Sequence, residues 1–259
     1  KARNEELTIS RQEIEEKNAA LVELLNELKE LNATKDKMFS IISHDLKNPF
    51  STIMGFSRLL VEEMNTMTIE EIVDFISRID DTARNTYNLL ENLLAWSRSQ
   101  SGRLSVNPSP LPLDEVIEGN KRFVKDLAFE KKITVSGDAP AGCLVMADNY
   151  ALDLIFRNLL TNAIKFSFPG SVITISVVIN NNEVAISISD QGTGMDEETI
   201  QKLFRPDVFH WTHGTNHERG TGLGLILVKE LIEKQNGRIT VKSKPAEGST
   251  FTFTLPVAV

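Results

Sequence analysis

Apolar positions over the first hundred residues fall at helical spacing almost without a break. Leu7, Ile14, Leu21 and Leu28 recur every seven residues, and Leu24 and Leu31 add a second seam. This is a coiled-coil heptad over residues 1–34, weakened early where Ser10 and Lys17 stand in the second seam; a single solvated helix is the alternative. The helical pattern continues through Phe39, Ile42, Leu46, Phe50 and Ile53, which share one stripe, to about Met64. Residues 65–68 read as a turn, with Thr68 capping a second helix. That helix carries Ile69, Ile72, Val73, Ile76, Ile79, Ala83, Tyr87, Leu90, Leu94 and Trp96, to about Ser99. Two long helices and a short turn make an antiparallel hairpin with one apolar face. A single hairpin cannot surround its own stripe, whereas two copies close a four-helix bundle, so a homodimer is expected.

From about residue 111 the period changes. Residues 113–127 read as a helix, 132–136 and 143–146 as short strands, and 148–166 as a long helix with Asp148 near its cap. Residues 172–180 and 183–190 alternate apolar and polar around Asn180-Asn181-Asn182, an antiparallel hairpin. A long irregular stretch, about 191–220, precedes a helix at 221–235 and strands at 238–243 and 250–257, which turn at Glu247-Gly248. Ser101-Gly102 and Asn107-Pro108-Ser109-Pro110 break the pattern between the halves, making 101–110 a hinge linker. The expected fold is multidomain. An all-α hairpin (35–100) forms a dimeric four-helix bundle, and an α+β sandwich (111–259) follows, with helices covering one face of a mixed sheet.

Composition changes this picture little. At 259 residues and 41% hydrophobic, the chain can fill one large core or two modest ones. A net charge of −8 without a basic stripe argues against a nucleic-acid surface. The single cysteine, Cys143, permits no internal disulfide and suits a reducing, cytoplasmic setting. No run of eighteen apolar residues is present, so neither a membrane span nor a signal peptide is expected here. The chain opens at Lys1 in mid-pattern and reads as a piece of something longer.

Four stretches carry candidate chemistry. In the first helix His44, Asp45 and Asn48 lie off the apolar stripe, which turns an imidazole outward beside a carboxylate; Asn48 shares its face with His44. Pro49 removes the bond that would end on the Asp45 carbonyl and should bend the helix there. On the long helix of the second domain, Asn158 and Asn162 are one turn apart and off the apolar face, followed by Lys165 and Phe166. Their carboxamides can offer oxygens to a metal or to phosphate-bound water, although Asn is also ordinary on a solvated face. In Asp190-Gln191-Gly192-Thr193-Gly194 a strand ends on a carboxylate and spaced glycines admit a ligand close to the backbone. Gly220-Thr221-Gly222-Leu223-Gly224-Leu225 opens a helix, a ready anion site, without the βαβ context of a dinucleotide fingerprint. Between these glycine runs, Phe204, Phe209, Trp211, His210, His213 and His217 fall in a long loop. Without cysteine partners the histidines read better as polar lid residues than as zinc ligands.

Taken in this order, the chain from about residue 35 to its end resembles the catalytic core of a sensor histidine kinase, and the first helix resembles the signalling coiled coil before such cores. The run Ser43-His44-Asp45-Leu46-Lys47-Asn48-Pro49 matches the family's H box, and Asn158-Leu159-Leu160-Thr161-Asn162-Ala163 its N box. Asp190-Gln191-Gly192-Thr193-Gly194 and residues 220–225 match its two glycine boxes. The resemblance implies a GHKL-type domain that binds ATP with Mg²⁺. It implies autophosphorylation of His44 and transfer to an aspartate on a response regulator receiver domain, with phosphatase activity a further option and a non-catalytic ATP-binding scaffold the alternative. His44 would attack the γ-phosphate, Asp45 would act as general base, and Asn48 would orient water in regulator dephosphorylation. Asn158 and Asn162 would hold Mg²⁺, Lys165 would touch phosphate, Phe166 would pack near adenine and Asp190 would accept from the adenine amino group. Gly192, Gly194, Gly220, Thr221, Gly222, Leu223, Gly224 and Leu225 would shape the pocket and its lid. An upstream sensor domain, and a membrane-anchored parent with this portion in the cytoplasm, belong to the same expectation. The F box departs from the family pattern. Phe204-Arg205-Pro206-Asp207-Val208-Phe209 holds extra residues, and His210 stands where a basic residue is expected, which leaves the lid's γ-phosphate contact open among Arg205, His213 and Arg219.

Overall fold

The computed structural model describes residues 2–100, 106–180, 182–205, 214–215 and 224–258. The chain divides into two compact units, Lys1–Thr86 and Tyr87–Val259.

The first unit is built on α1 (Ala2–Glu63) and the start of α2 (Ile69–Gln100). Helix α1 runs through Pro49, which has no N–H to donate to Asp45. Just past it, Ser51 Oγ and Thr52 Oγ1 donate to the carbonyls of Lys47 and Asn48 at 2.9 and 3.2 Å. The turn after α1 is closed by Thr66 N donating to Glu63 O at 2.8 Å. Thr68 caps α2 as the sequence indicates. Its Oγ1 accepts from Glu71 N (3.2 Å) while the Glu71 carboxylate accepts from Thr68 N (2.9 Å), a reciprocal capping box. Phe56 and Phe75 pack at 5.2 Å between ring centroids and join the two helices. Much of the remaining apolar surface stays open, with Met54, Val61, Ile69, Val73 and Ile76 all exposed.

The second unit contains the rest of α2, then β1 (Ser109–Pro112), α3 (Leu113–Phe123), α4 (Lys125–Glu130), β2 (Thr134–Ser136), β3 (Leu144–Ala147) and α5 (Asn149–Phe166). It continues with β4 (Val172–Asn180), β5 (Glu183–Ser189), α6 (Glu197–Lys202), α7 (Gly224–Glu233), β6 (Arg238–Lys244) and β7 (Gly248–Pro256). The main sheet has five strands in the order β2-β4-β5-β7-β6, with β2 parallel to β4 and the other pairs antiparallel. Alternation along the strands separates its faces. Ile173, Ile175, Val184, Ile186, Ile188, Phe251 and Phe253 are buried. On the opposite face Ser187 pairs with Thr252, and Ser189 with Thr250, through hydroxyls 2.8 Å apart. Helices α5 and α7 supply the facing layer: Leu152, Ile155, Phe156, Leu159, Leu227 and Val228 are buried, and Phe156 meets Phe253 edge-on at 5.7 Å. This is the α+β sandwich that the patterning implies.

Three elements differ from the sequence expectation. The helix expected over 113–127 is two. Val124 leaves helical geometry (φ −92°, ψ 1°), and α4 restarts so that Ala128 is buried. Ser109 and Pro110, read as part of a linker, begin β1, which pairs antiparallel with β3 from Ser109–Ala147 to Pro112–Leu144. Prolines lack a ladder donor but are tolerated in so short an edge pair. Within the stretch read as irregular, α6 is capped by Asp196, whose Oδ1 accepts from Thr199 N at 2.8 Å.

Candidate functional site

Helix α5 is fixed at its start by Asp148. One carboxylate oxygen caps Ala151 N (2.9 Å), and the other accepts from Asn107 N (3.0 Å). Asp148 N in turn donates to Oε1 of the buried Gln235, just past α7, at 2.8 Å. With the apolar face of α5 locked into the core, Asn158, Asn162, Lys165 and Phe166 are all left half-buried. Asn158 Nδ2 donates back to Leu154 O at 2.9 Å, which turns its oxygen away from its own helix backbone. Asn162 makes no side-chain hydrogen bond among the described residues. The Lys165 ammonium lies 4.7 Å from the Phe166 ring centroid, within cation–π range.

Asp190 follows β5 directly. Its amide donates to Ser249 O (2.8 Å), and its Oδ1 accepts from both Gly192 N (2.9 Å) and Ser249 N (3.1 Å). Oδ2 has no hydrogen bond among the described residues. Burial pushes the carboxyl above its ordinary pKa, and the two amides oppose that shift. The result is a mostly buried acceptor with one oxygen spoken for and one available.

The glycines are needed for close approach. A Cβ on Gly192 would lie 2.2 Å from Phe166 O, because this loop is pressed against the end of α5, where Thr193 N donates to Phe166 O at 3.1 Å. Gly194 adopts φ +64° with its α-carbon against Lys244. A Cβ on Gly224 would meet Asn158 Oδ1 at 2.5 Å, which places the start of α7 against the first candidate asparagine. The structure therefore brings Asn158, Phe166, Asp190, Gly192 and Gly224 around the exposed side of α5, with Leu225 half-buried beyond.

Other candidates lie outside the described residues: Gly220, Thr221, Gly222 and Leu223 of the second glycine box, and Phe209, His210, Trp211, His213, His217 and Arg219 of the loop before it. His44 and Asp45 belong to α1, but their side chains are likewise outside the described set, while Asn48 is half-buried. Sequence reasoning missed Ser249, whose amide donates to Asp190 Oδ1. It also missed Lys131 and Thr215, which hold the end of α5; the sequence carries no motif for either.

Mg²⁺ takes hard oxygen ligands and keeps company with phosphates. The open carboxamide of Asn162 and the turned-out oxygen of Asn158 fit that role. Among the described residues no group of three His, Cys, Asp or Glu could hold a metal ion.

Residues 34–102 match the His Kinase A (phospho-acceptor) domain, and residues 147–259 match the histidine kinase-, DNA gyrase B- and HSP90-like ATPases. Sensor protein EvgS of Escherichia coli O157:H7 is 33% identical over 239 residues, covering 89% of this chain and 20% of EvgS. Sensor histidine kinase GacS of Pseudomonas protegens is 28% identical over 250 residues, covering 93% of this chain and 27% of GacS. The chain thus spans about a fifth of the one and little over a quarter of the other. Two solved structures share the fold. Acinetobacter baumannii histidine kinase AdeS has a TM-score of 0.62 at 20% identity, over 83% of this chain and 98% of that one. Histidine kinase ThkA, solved in complex with response regulator protein TrrA, has a TM-score of 0.63 at 18% identity, over 86% of this chain and 61% of that one. A phosphoacceptor hairpin followed in one chain by an ATPase sandwich is the architecture of a histidine kinase. The chain belongs to the sensor histidine kinases, of which it spans the catalytic core.

Proposed function

We propose that this core phosphorylates itself on His44 with ATP and Mg²⁺ and passes the phosphoryl group to an aspartate of a response regulator receiver domain. The observation that carries this reading is the succession of a phosphoacceptor match over 34–102, with His44 inside it, and an ATPase match over 147–259. In the ATP domain, the available Asp190 Oδ2 accepts from the adenine amino group, which a guanine carbonyl could not satisfy. Phe166 packs beside the base, and Lys165 offers its ammonium to phosphate. Gly192, Gly194, Gly220, Thr221, Gly222, Leu223, Gly224 and Leu225 let the backbone follow the nucleotide. Bound Mg²⁺, held by Asn158 and Asn162, supplies charge neutralisation at the phosphates.

A ring nitrogen of His44 attacks the γ-phosphorus in line. The N–P bond forms as the P–O bond to the β-phosphate breaks, and ADP leaves with the electron pair. Asp45 accepts the proton of the other ring nitrogen as the N–P bond forms, so the phosphorylated imidazole leaves the step neutral. The phosphoryl group then moves to an aspartate carboxylate of the regulator, regenerating His44. In the reverse role, Asn48 orients the water that dephosphorylates the regulator. The exposed apolar stripe of the hairpin is covered by a second copy, giving a homodimer. Input comes from a sensor domain upstream, and the core works in the cytoplasm. Among the described residues, no helix is long and apolar enough to cross a membrane.

The test is incubation with γ-labelled ATP and Mg²⁺. Acid-labile, alkali-stable label that vanishes in His44→Gln, with ATP binding retained, is the expected result. ATP binding without label in the unaltered chain contradicts it and favours a non-catalytic scaffold.

A further inference from the structure

The last four carbonyls of an α-helix have no partner within it, and each must find a donor elsewhere. In α5 all four do. Ala163 O accepts from Ser167 N at 3.0 Å, and Phe166 O from Thr193 N at 3.1 Å. Between them Lys131 Nζ reaches up from the end of α4 and donates to Ile164 O (2.9 Å) and Lys165 O (2.7 Å). Lys165 O also accepts from Thr215 N at 3.1 Å. The Thr215 hydroxyl, with one proton to give, makes its shorter bond to Ser167 O at 2.8 Å and a longer one to Lys165 O at 3.2 Å.

These donors come from distant parts of the chain. Lys131 is only 6% exposed, a cation buried at the negative end of a helix dipole. Thr215 lies between the two glycine boxes in sequence. Both converge on the one turn that carries Lys165 and Phe166, the side chains assigned above to phosphate and adenine. An unfastened helix end frays, and a frayed last turn would misplace both groups.

We propose that Lys131 and Thr215 are positioning residues of the nucleotide site, which hold the last turn of α5 so that Lys165 and Phe166 meet ATP in one fixed geometry. Neither touches the ligand in this account, and the proposal rests on the ATP-dependent autokinase reading. Lys131 bridges two successive carbonyls with one ammonium. Thr215 fastens the same turn through its amide and its hydroxyl.

The discriminating variants are Thr215→Val, which keeps the shape and the backbone bond but removes the hydroxyl, and Thr215→Ser, which restores the hydroxyl. ATP affinity by calorimetry, label uptake from γ-labelled ATP and melting temperature are read on the full chain. Loss of one neutral hydrogen bond predicts an ATP KM raised about five-fold for Thr215→Val. The same account expects kcat to be kept, because the turn that the hydroxyl holds contributes to uniform nucleotide binding. It also expects a melting temperature lowered by only a few degrees, as loss of one internal hydrogen bond entails. Thr215→Ser returns KM to the unaltered value, and Lys131→Met raises KM while also lowering the melting temperature. An active unaltered chain whose Thr215→Val variant binds ATP equally well overturns the positioning role. So does a Thr215→Val variant that fails to fold while Thr215→Ser behaves normally, since the hydroxyl would then serve stability alone. An unaltered chain that neither binds ATP nor takes up label contradicts the autokinase reading instead.

Discussion

Asp190 is the residue at which stability and binding pull in opposite directions. Burial raises its carboxyl pKa, so the native state holds a proton over a pH range in which the unfolded chain has already released it. In that window stability falls as pH rises, and above it the cost of the buried charge is constant. The unaltered chain should therefore gain melting temperature relative to Asp190→Asn as the pH is lowered from neutrality through the raised pKa. Parallel melting curves of the two at every pH would contradict this. In binding the sign reverses. An Asn offering Nδ2 to the adenine amino group meets donor with donor, and losing a charged hydrogen bond of about 1.5–3 kcal/mol weakens ATP about 10- to 100-fold. Titration calorimetry with ATP checks it. Gly194 sits at φ +64° with no room for a Cβ beside Lys244 O, so Gly194→Ala should cost at least about 1–2 kcal/mol of stability, measurable by urea unfolding. Asp190 and its glycines could be read from sequence because motif and chemistry sit within five residues. Ser249, which donates to the same carboxylate oxygen, could not, because 59 residues separate the pair and only the sheet register joins them.

Among the elements, long periodic helices and capped starts were the most legible. From residue type and position Thr68 reads as a cap and Asp148 as lying near one, and both make a side-chain bond to the backbone. Asp148→Ala removes the cap on Ala151 and the tie to Asn107 together, and about 1–2 kcal/mol of lost stability is expected from the cap. That lowers the melting temperature by a few degrees in a thermal scan; an unchanged transition would mean the cap contributes nothing measurable. Elements that rest on tertiary partners were not legible. β1 contains two prolines and reads as a break, yet it pairs with a strand more than thirty residues away. The six residues of α6 are too few to show a helical period. The split at Val124 leaves apolar spacing nearly intact on both sides, so the pattern cannot reveal it.

For the whole molecule, the hairpin leaves a row of apolar side chains open, including Val61, Ile69, Val73 and Ile76. The proposed homodimer accounts for them, and it predicts that Ile76→Glu shifts the chain toward monomer in sedimentation while ATP binding by the second unit persists. Dimers of unchanged affinity would place the interface elsewhere. The central claim is narrower than any of this: phosphate leaves ATP and arrives on His44. The most direct measurement is tandem mass spectrometry of peptides, prepared at alkaline pH after incubation with ATP and Mg²⁺. The account predicts a phosphoryl group on the peptide containing His44, localised to its imidazole and absent without ATP. Phosphate on another residue, or on none while ATP is demonstrably bound, would contradict it.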